Sequence, residues 1–260
     1  MEMLLAIPFG IAIGLVVGTV GGGGAILALP VLVYVLDEGV SPASTASLIV
    51  VAVGASVGAG SQARHGQLCW RVAVTFSVPA AAGAYLGTLA NGQVSGRTLI
   101  LAFVPVMLIA AISTYRRGDE AADEDASSGC PSPGLVPSAA AGLAVGAMTG
   151  FFGVGGGFLI VPALTALLAL PMRRAIATSL AIITLTGAAA LVSHLVEGAD
   201  PNWPLTLTLA ASAAVGALGG SALGRRLPAG TLARAFGAVV ALIALFLLLD
   251  VLFLDGPPVG

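Results

Sequence analysis

Two apolar stretches, Leu4–Leu36 and Ser138–Leu170, each carry a cluster of glycines near their middle. As one unbroken helix either stretch would be about 50 Å long, against ~30 Å of bilayer hydrocarbon. Each must therefore tilt steeply, break, or fold back. The glycines favour a break, because glycine loses more conformational freedom on entering a helix than any other residue. The two clusters are copies. Subtracting 132 from Gly142, Gly146, Gly150, Gly153, Gly155, Gly156 and Pro162 returns Gly10, Gly14, Gly18, Gly21, Gly23, Gly24 and Pro30. Gly22 and Gly157 complete the two runs.

The register extends past the glycines. Ser47-Leu48 and Ser179-Leu180 keep the offset of 132, and Thr98-Leu99 and Ala102-Phe103 match Thr231-Leu232 and Ala235-Phe236 at 133. The chain is thus a duplicated domain: residues 1–117 form an N-terminal transmembrane repeat and 138–260 a C-terminal one. Residues 118–137 are an acidic, Ser/Pro-rich linker, read as a solvated tether.

Only 8% of residues are charged, against about 25% in soluble domains. Mean hydropathy is +1.06. Spans are expected at Ser44–Ala63, Val72–Leu89 and Thr98–Tyr115, and again at Ala175–Leu195, Leu205–Leu223 and Thr231–Leu249. No segment alternates with the period of a transmembrane β-barrel. The fold class is an all-α polytopic membrane protein. Glu2 and the lack of a basic residue before the first apolar run argue against a secretory signal peptide. No basic stripe or aromatic platform points to nucleic acid. Cys69 and Cys130 fit no metal spacing and suggest no disulfide framework. Trp70, Trp203, Tyr34, Tyr85 and Tyr115 fall near span ends and read as interfacial anchors.

Cytoplasmic loops collect arginine. In the first half an acidic loop (Asp37, Glu38) follows the broken element and a basic one (Arg64, Arg71) comes next. In the second half the order flips: Arg173 and Arg174 come first, then Glu197 and Asp200. One arrangement meets nearly all of this. Each broken element is a hairpin that enters and leaves on one side, with its glycine tip inside the membrane. Three full spans follow in each half, so the repeats are inverted. Arg97 is the misfit. The runner-up has four spans per half and a parallel repeat.

Broken apolar helices at matching places in two halves point to a substrate site near the midplane. Helix starts present free N–H groups and partial positive charge, which suits an anion. The candidate substrate-binding residues are Gly21, Gly22, Gly23 and Gly24 with Thr45 and Ser47, and Gly153, Gly155, Gly156 and Gly157 with Thr178 and Ser179. Gly10, Gly14, Gly18 and their twins need only close helix packing to explain them, and packing is the competing reading for the tips too. His194 reads as an interfacial anchor or a proton carrier, and His65 with Gln62 as an interfacial cluster. No Asp, Glu or Arg sits mid-span, so carboxylate-based proton coupling has no residue to act through. A monoanion leaving a cell at 100 mV gains about 2.3 kcal/mol, so efflux can run on the potential alone.

The motifs GTVGGGGAILALP and GFFGVGGGFLIVP, each followed by a span containing TASL or ATSL, resemble those of the TauE/SafE family of probable membrane transporters. The resemblance covers about Leu4 to Leu249. It implies a multi-pass protein of a prokaryotic plasma membrane that exports sulfite or an organosulfonate such as sulfoacetate. The alternatives are an anion channel or facilitator on the same scaffold, or an exporter of another small organic anion. An enzyme is not expected: there is no nucleophile–base pair, metal cluster or phosphate loop, and no cofactor is implied. The expected partners are a small anionic substrate and the lipid bilayer, and glycine seams on the outer spans would allow a homodimer.

Overall fold

The computed structural model describes residues 2–22, 24–91, 96–120, 130, 134–152, 157–196 and 201–253. The described residues form helices joined by short turns and loops, with no strand among them. The first half contains α1 (Glu2–Val20), α2 (Gly24–Pro30) running on into a π-helical turn (Val31–Val35), α3 (Val40–Ala63), α4 (Trp70–Asn91) and α5 (Gly96–Glu120). The second half repeats the plan with α6 (Leu135–Phe152), α7 (Gly157–Ala166), α8 (Met172–Val196), α9 (Trp203–Arg226) and α10 (Ala229–Phe253). The first long apolar stretch is broken at its glycines, as expected; in the second, α6 ends at Phe152 and α7 starts at Gly157, with the residues between them outside those described. The helices reach further into the linker than composition suggested, α5 running to Glu120 and α6 starting at Leu135.

Local chemistry explains the first break. Gly21 ends α1 in the left-handed region, at φ +81°, and its N–H bonds the Val17 carbonyl at 2.8 Å. That is a helix terminus closed by an αL glycine. The chain then turns back, and Gly24 packs on Val17 and the Ile13 carbonyl of α1. Each short helix also ends in the same unusual turn. Asp37 and Ala169, 132 residues apart, both have positive φ, +52° and +50°. The residue after each closes the same ring: Glu38 N–H to Leu32 O at 3.1 Å and Leu170 N–H to Leu164 O at 3.0 Å. The two glycine-containing stretches thus end in the same backbone hydrogen bond.

The halves exchange partners. α1 lies along α9, while its counterpart α6 lies along α4, the counterpart of α9. Glycines make both contacts close. Gly10, Gly14 and Gly18 meet Ser212, Ala213 and Ala217, and Gly216 and Gly220 meet the Ile11 and Leu15 carbonyls. Gly142, Gly146 and Gly150 meet Phe76, Ala80 and Ala84 in the same way, with Gly83 and Gly87 on Leu143 and Ala147. Residue numbers rise together across both contacts, so each pair runs parallel. These seams are made within the chain, between the two halves.

The equivalent helices α3 and α8 also touch, and their numbers run oppositely. Ala52 meets Gly187 and Gly58 meets Leu180, while Thr45 Oγ1 lies 3.0 Å from His194 Nδ1. The two helices are antiparallel. α3, α8 and α9 are each long and apolar enough to cross a membrane. Large apolar side chains such as Val78, Ile109 and Val215 stand exposed on the outside, as a lipid-facing surface requires. Trp70, Trp203, Tyr34, Tyr85 and Tyr115 are exposed too.

The basic loops converge at one end. Arg173 donates to the Arg225 and Leu227 carbonyls at 2.7 and 2.6 Å. Arg225 reaches Ser61 Oγ at 3.2 Å, and Arg174 reaches the Gly66 carbonyl at 3.3 Å. At another junction Asn202 Nδ2 donates to Glu38 Oε1 at 2.8 Å, joining the α9 start to the acidic turn after the π-helical segment. The cysteine expectation needs correcting: Cys69 and Cys130 form a disulfide. It pins residue 130, between α5 and α6, to the α3–α4 loop beside Arg174. Linear spacing says nothing of a bridge across 61 residues, because only the folded loops bring the thiols together.

Candidate functional site

The two glycine breaks meet. Gly22 lies so close to Gly157 that a side chain on Gly22 would run into the Gly157 carbonyl and the Phe158 nitrogen. Conversely, a Cβ on Gly157 would stand 3.1 Å from the Gly22 carbonyl oxygen and 3.0 Å from Ile183 Cδ1. Glycine is needed here for approach, not only for backbone freedom. The starts of α2 and α7 are thereby brought to one place.

α7 is held there by burial. Every residue from Gly157 to Thr165 is buried, which is the environment a short non-spanning helix needs at membrane depth. Phe158 is fully buried and meets Phe103 of α5 edge to face, ring centres 5.3 Å apart. That contact fixes the start of α7 against the first half.

Ser179 is the hydroxyl that reaches the site. It is fully buried, and its Oγ donates to the Gly21 carbonyl at 2.6 Å, with Ile176 O at 2.8 Å as the alternative acceptor. The second half's full span thus holds the first half's tip. The other expected hydroxyls are engaged elsewhere. Thr178 Oγ1 accepts from Cys69 N–H at 3.3 Å, tying α8 to the α3–α4 loop. Ser47 Oγ donates to Ser44 O at 2.8 Å within its own helix. Thr45 is fully buried and pairs with His194, so His194 is partnered within the helix bundle and not a free interfacial anchor. Gly24 faces α1. Gly23, Gly153, Gly155 and Gly156 lie outside the described residues.

Two contacts had no signal in the sequence: Ile176 packing directly on Gly21, and the Thr45–His194 pair, made across 149 residues. No group of three or more His, Cys, Asp or Glu capable of holding a metal occurs among the described residues. What meets here is the backbone at two helix starts and one serine hydroxyl.

The family model described as "Sulfite exporter TauE/SafE" matches residues 6–247. The chain belongs to the TauE/SafE family. A probable membrane transporter protein of Xylella fastidiosa (strain Temecula1) is 31% identical to this TauE/SafE protein over 254 residues, 95% of each chain. One from Methanocaldococcus jannaschii is 28% identical over 211 residues, 76% of each chain. A Bacillus subtilis probable membrane transporter protein, YunE, is 26% identical over 272 residues, covering 94% of this chain and 97% of its own. No solved structure matches this TauE/SafE chain. The family is one of membrane transporters, and the apolar helices of this member agree with that placement.

Proposed function

We propose that this protein exports a small sulfur-containing oxyanion, sulfite or an organosulfonate such as sulfoacetate, across a prokaryotic plasma membrane. The anion binds midway through the bilayer, where the two glycine breaks meet. The contact between Gly22 and Gly157, tied by Ser179 to Gly21, carries this reading. Two helix starts converging on a site with no side-chain cation among the described residues suit an anion that must also leave again.

The repeats are inverted in this reading. Its support is the antiparallel course of α3 against its own counterpart α8. A parallel repeat would put the two in one direction across the membrane. The exchange of partners, α1 with α9 and α6 with α4, fits a two-fold axis between the halves. The arginine-rich end is cytoplasmic by the positive-inside tendency. Export is then downhill for an anion at a negative-inside potential.

The test is flux in oriented proteoliposomes with sulfite, sulfoacetate, sulfate and chloride, under an imposed potential and, separately, an imposed pH gradient. Saturable, potential-driven sulfite or sulfonate flux with trans-stimulation is expected. Non-saturating chloride current would make the protein a channel. Flux that needs only the pH gradient would reject the potential-driven mechanism.

A further inference from the structure

We propose that a cavity at the arginine-rich end is a second anion site, a waiting station between solvent and the glycine breaks. It encloses about 270 Å³ and is lined by Thr19, Gln62, Gln67, Arg173, Arg225 and Ile176, among others. It takes a small mono- or dianionic oxyanion, held by guanidinium groups. The identity of that anion rests on the proposed function; the site itself does not.

Uncompensated charge is the first observation. Among the described residues Arg173 donates to the carbonyls of Arg225 and Leu227. Arg225 donates, through Nη1 alone, to Ser61 Oγ and the Ser221 carbonyl. All four acceptors are neutral, and neither guanidinium meets a carboxylate among the described residues. Both are half-buried in one cavity wall. Each guanidinium has five N–H donors, so donors remain on both after these bonds. Two cations sharing a partly desolvated space repel one another, and an anion between them turns that repulsion into attraction. The carbonyls at the end of α9 offset part of the Arg173 charge. Arg225 has less such help, which makes it the residue to test.

Unpaired polar atoms are the second observation. Gln62 is only 5% exposed, yet its Oε1 is buried with no hydrogen-bond partner, and so is Oε1 of Gln67. Buried polar groups are nearly always satisfied in a native protein. Here both belong to the wall of the same cavity. Rotating either amide by half a turn exchanges its oxygen for an NH2 donor, which an oxyanion accepts. The cavity is below the ~300 Å³ at which pockets for drug-sized ligands begin, so the occupant is small.

The third observation is position. Ile176 belongs to the cavity wall, and its Cα lies 2.9 Å from where a Cβ on Gly21 would stand. One side chain therefore separates the cavity from the first glycine break. Ile176 is apolar and fully packed.

The experiment is sulfite binding to the purified full-length protein by calorimetry, paired with sulfite flux from each face of oriented proteoliposomes. Arg225→Gln is expected to raise the dissociation constant at least tenfold. It is expected to raise the half-saturating concentration by a similar factor at the arginine-rich face only. Arg225→Lys should recover much of both. If Arg225→Gln does not give a monodisperse protein, Gln62→Glu, which puts a carboxylate into the cavity, is expected to cause the same face-specific loss. Wild-type affinity in either folded variant overturns the proposal. So does an equal loss at both faces. Sulfite binding that is lost in these variants, with no flux in the wild type, would refute the transport reading and leave this site standing. Wild-type flux parameters in both variants would do the reverse.

Discussion

Gly21→Ala probes the site most sharply, because two costs can be worked out from the structure. The residue has φ +81°, a conformation that costs a non-glycine residue about 1–2 kcal/mol. Its new Cβ would stand 2.7 Å from Ser179 Oγ, 2.9 Å from Ile176 Cα and 3.0 Å from Ile176 Cγ2. Ordinary contact begins near 3.4 Å, so the tip must shift by half an ångström or more. Overpacking of that kind costs ~1–3 kcal/mol. The sum is roughly 2–5 kcal/mol, which for a chain of this size lowers Tm by about 5–15 °C. Ser179 is the partner of the tip, so a double-mutant cycle isolates their coupling. Ser179→Ala alone loses the hydrogen bond to Gly21 O, worth about 1 kcal/mol. In the double variant the Oγ clash is gone while the Ile176 clash remains. The losses should therefore not add, with a coupling of about 0.5–2 kcal/mol. Thermal unfolding in detergent, followed by size-exclusion chromatography, reads all four corners. A Gly21→Ala protein as stable as wild type, or strictly additive losses, would refute the geometry given to the tip.

Other expectations follow from single contacts. Ala169 sits at φ +50°, so Ala169→Gly should relieve strain and gain about 0.5–1 kcal/mol, seen as a Tm rise of a few degrees; a fall would mean the turn is not left-handed. Gly146 touches the Ala80 backbone, so Gly146→Val should separate α6 from α4 and leave little monodisperse protein, whereas Gly60→Val, with nothing near its Cβ, should be tolerated. Cys69 and Cys130 lie at the arginine-rich end. If that end is cytoplasmic the pair is reduced in growing cells, and acid-trapped protein should take two maleimide tags before any reductant is added. Protection from tagging would place that end outside.

The all-helical class and the first break were legible, because glycine spacing and apolar length are local properties of the chain. α1 stops at Gly21 for the reason its sequence suggests. The turn at Asp37 and Ala169 was not legible: alanine has no preference for the left-handed region, and tertiary packing holds it there. Pairing across the halves was equally hidden. The stripe Gly10, Gly14, Gly18 announces that a helix approaches closely, but not that α9 is the helix. Of the candidate hydroxyls, Ser179 reaches a tip and Thr178 does not, although they are neighbours. Helical rotation of 100° per residue separates their directions, and only the packing of α8 decides which faces Gly21. The disulfide and the arginine-lined cavity depend on loops far apart in sequence, so neither could be read before the helices were placed.

In the proposed mechanism backbone amides at the two glycine breaks hold the anion. Solid-state NMR of the glycine amides in lipid, titrated with sulfite, tests it directly. Saturable shifts of Gly22, Gly24 and Gly157 with one common dissociation constant are expected, while Gly142, in the α4–α6 seam, stays still. Saturable sulfite binding that leaves the amides at residues 22, 24 and 157 unmoved would contradict it.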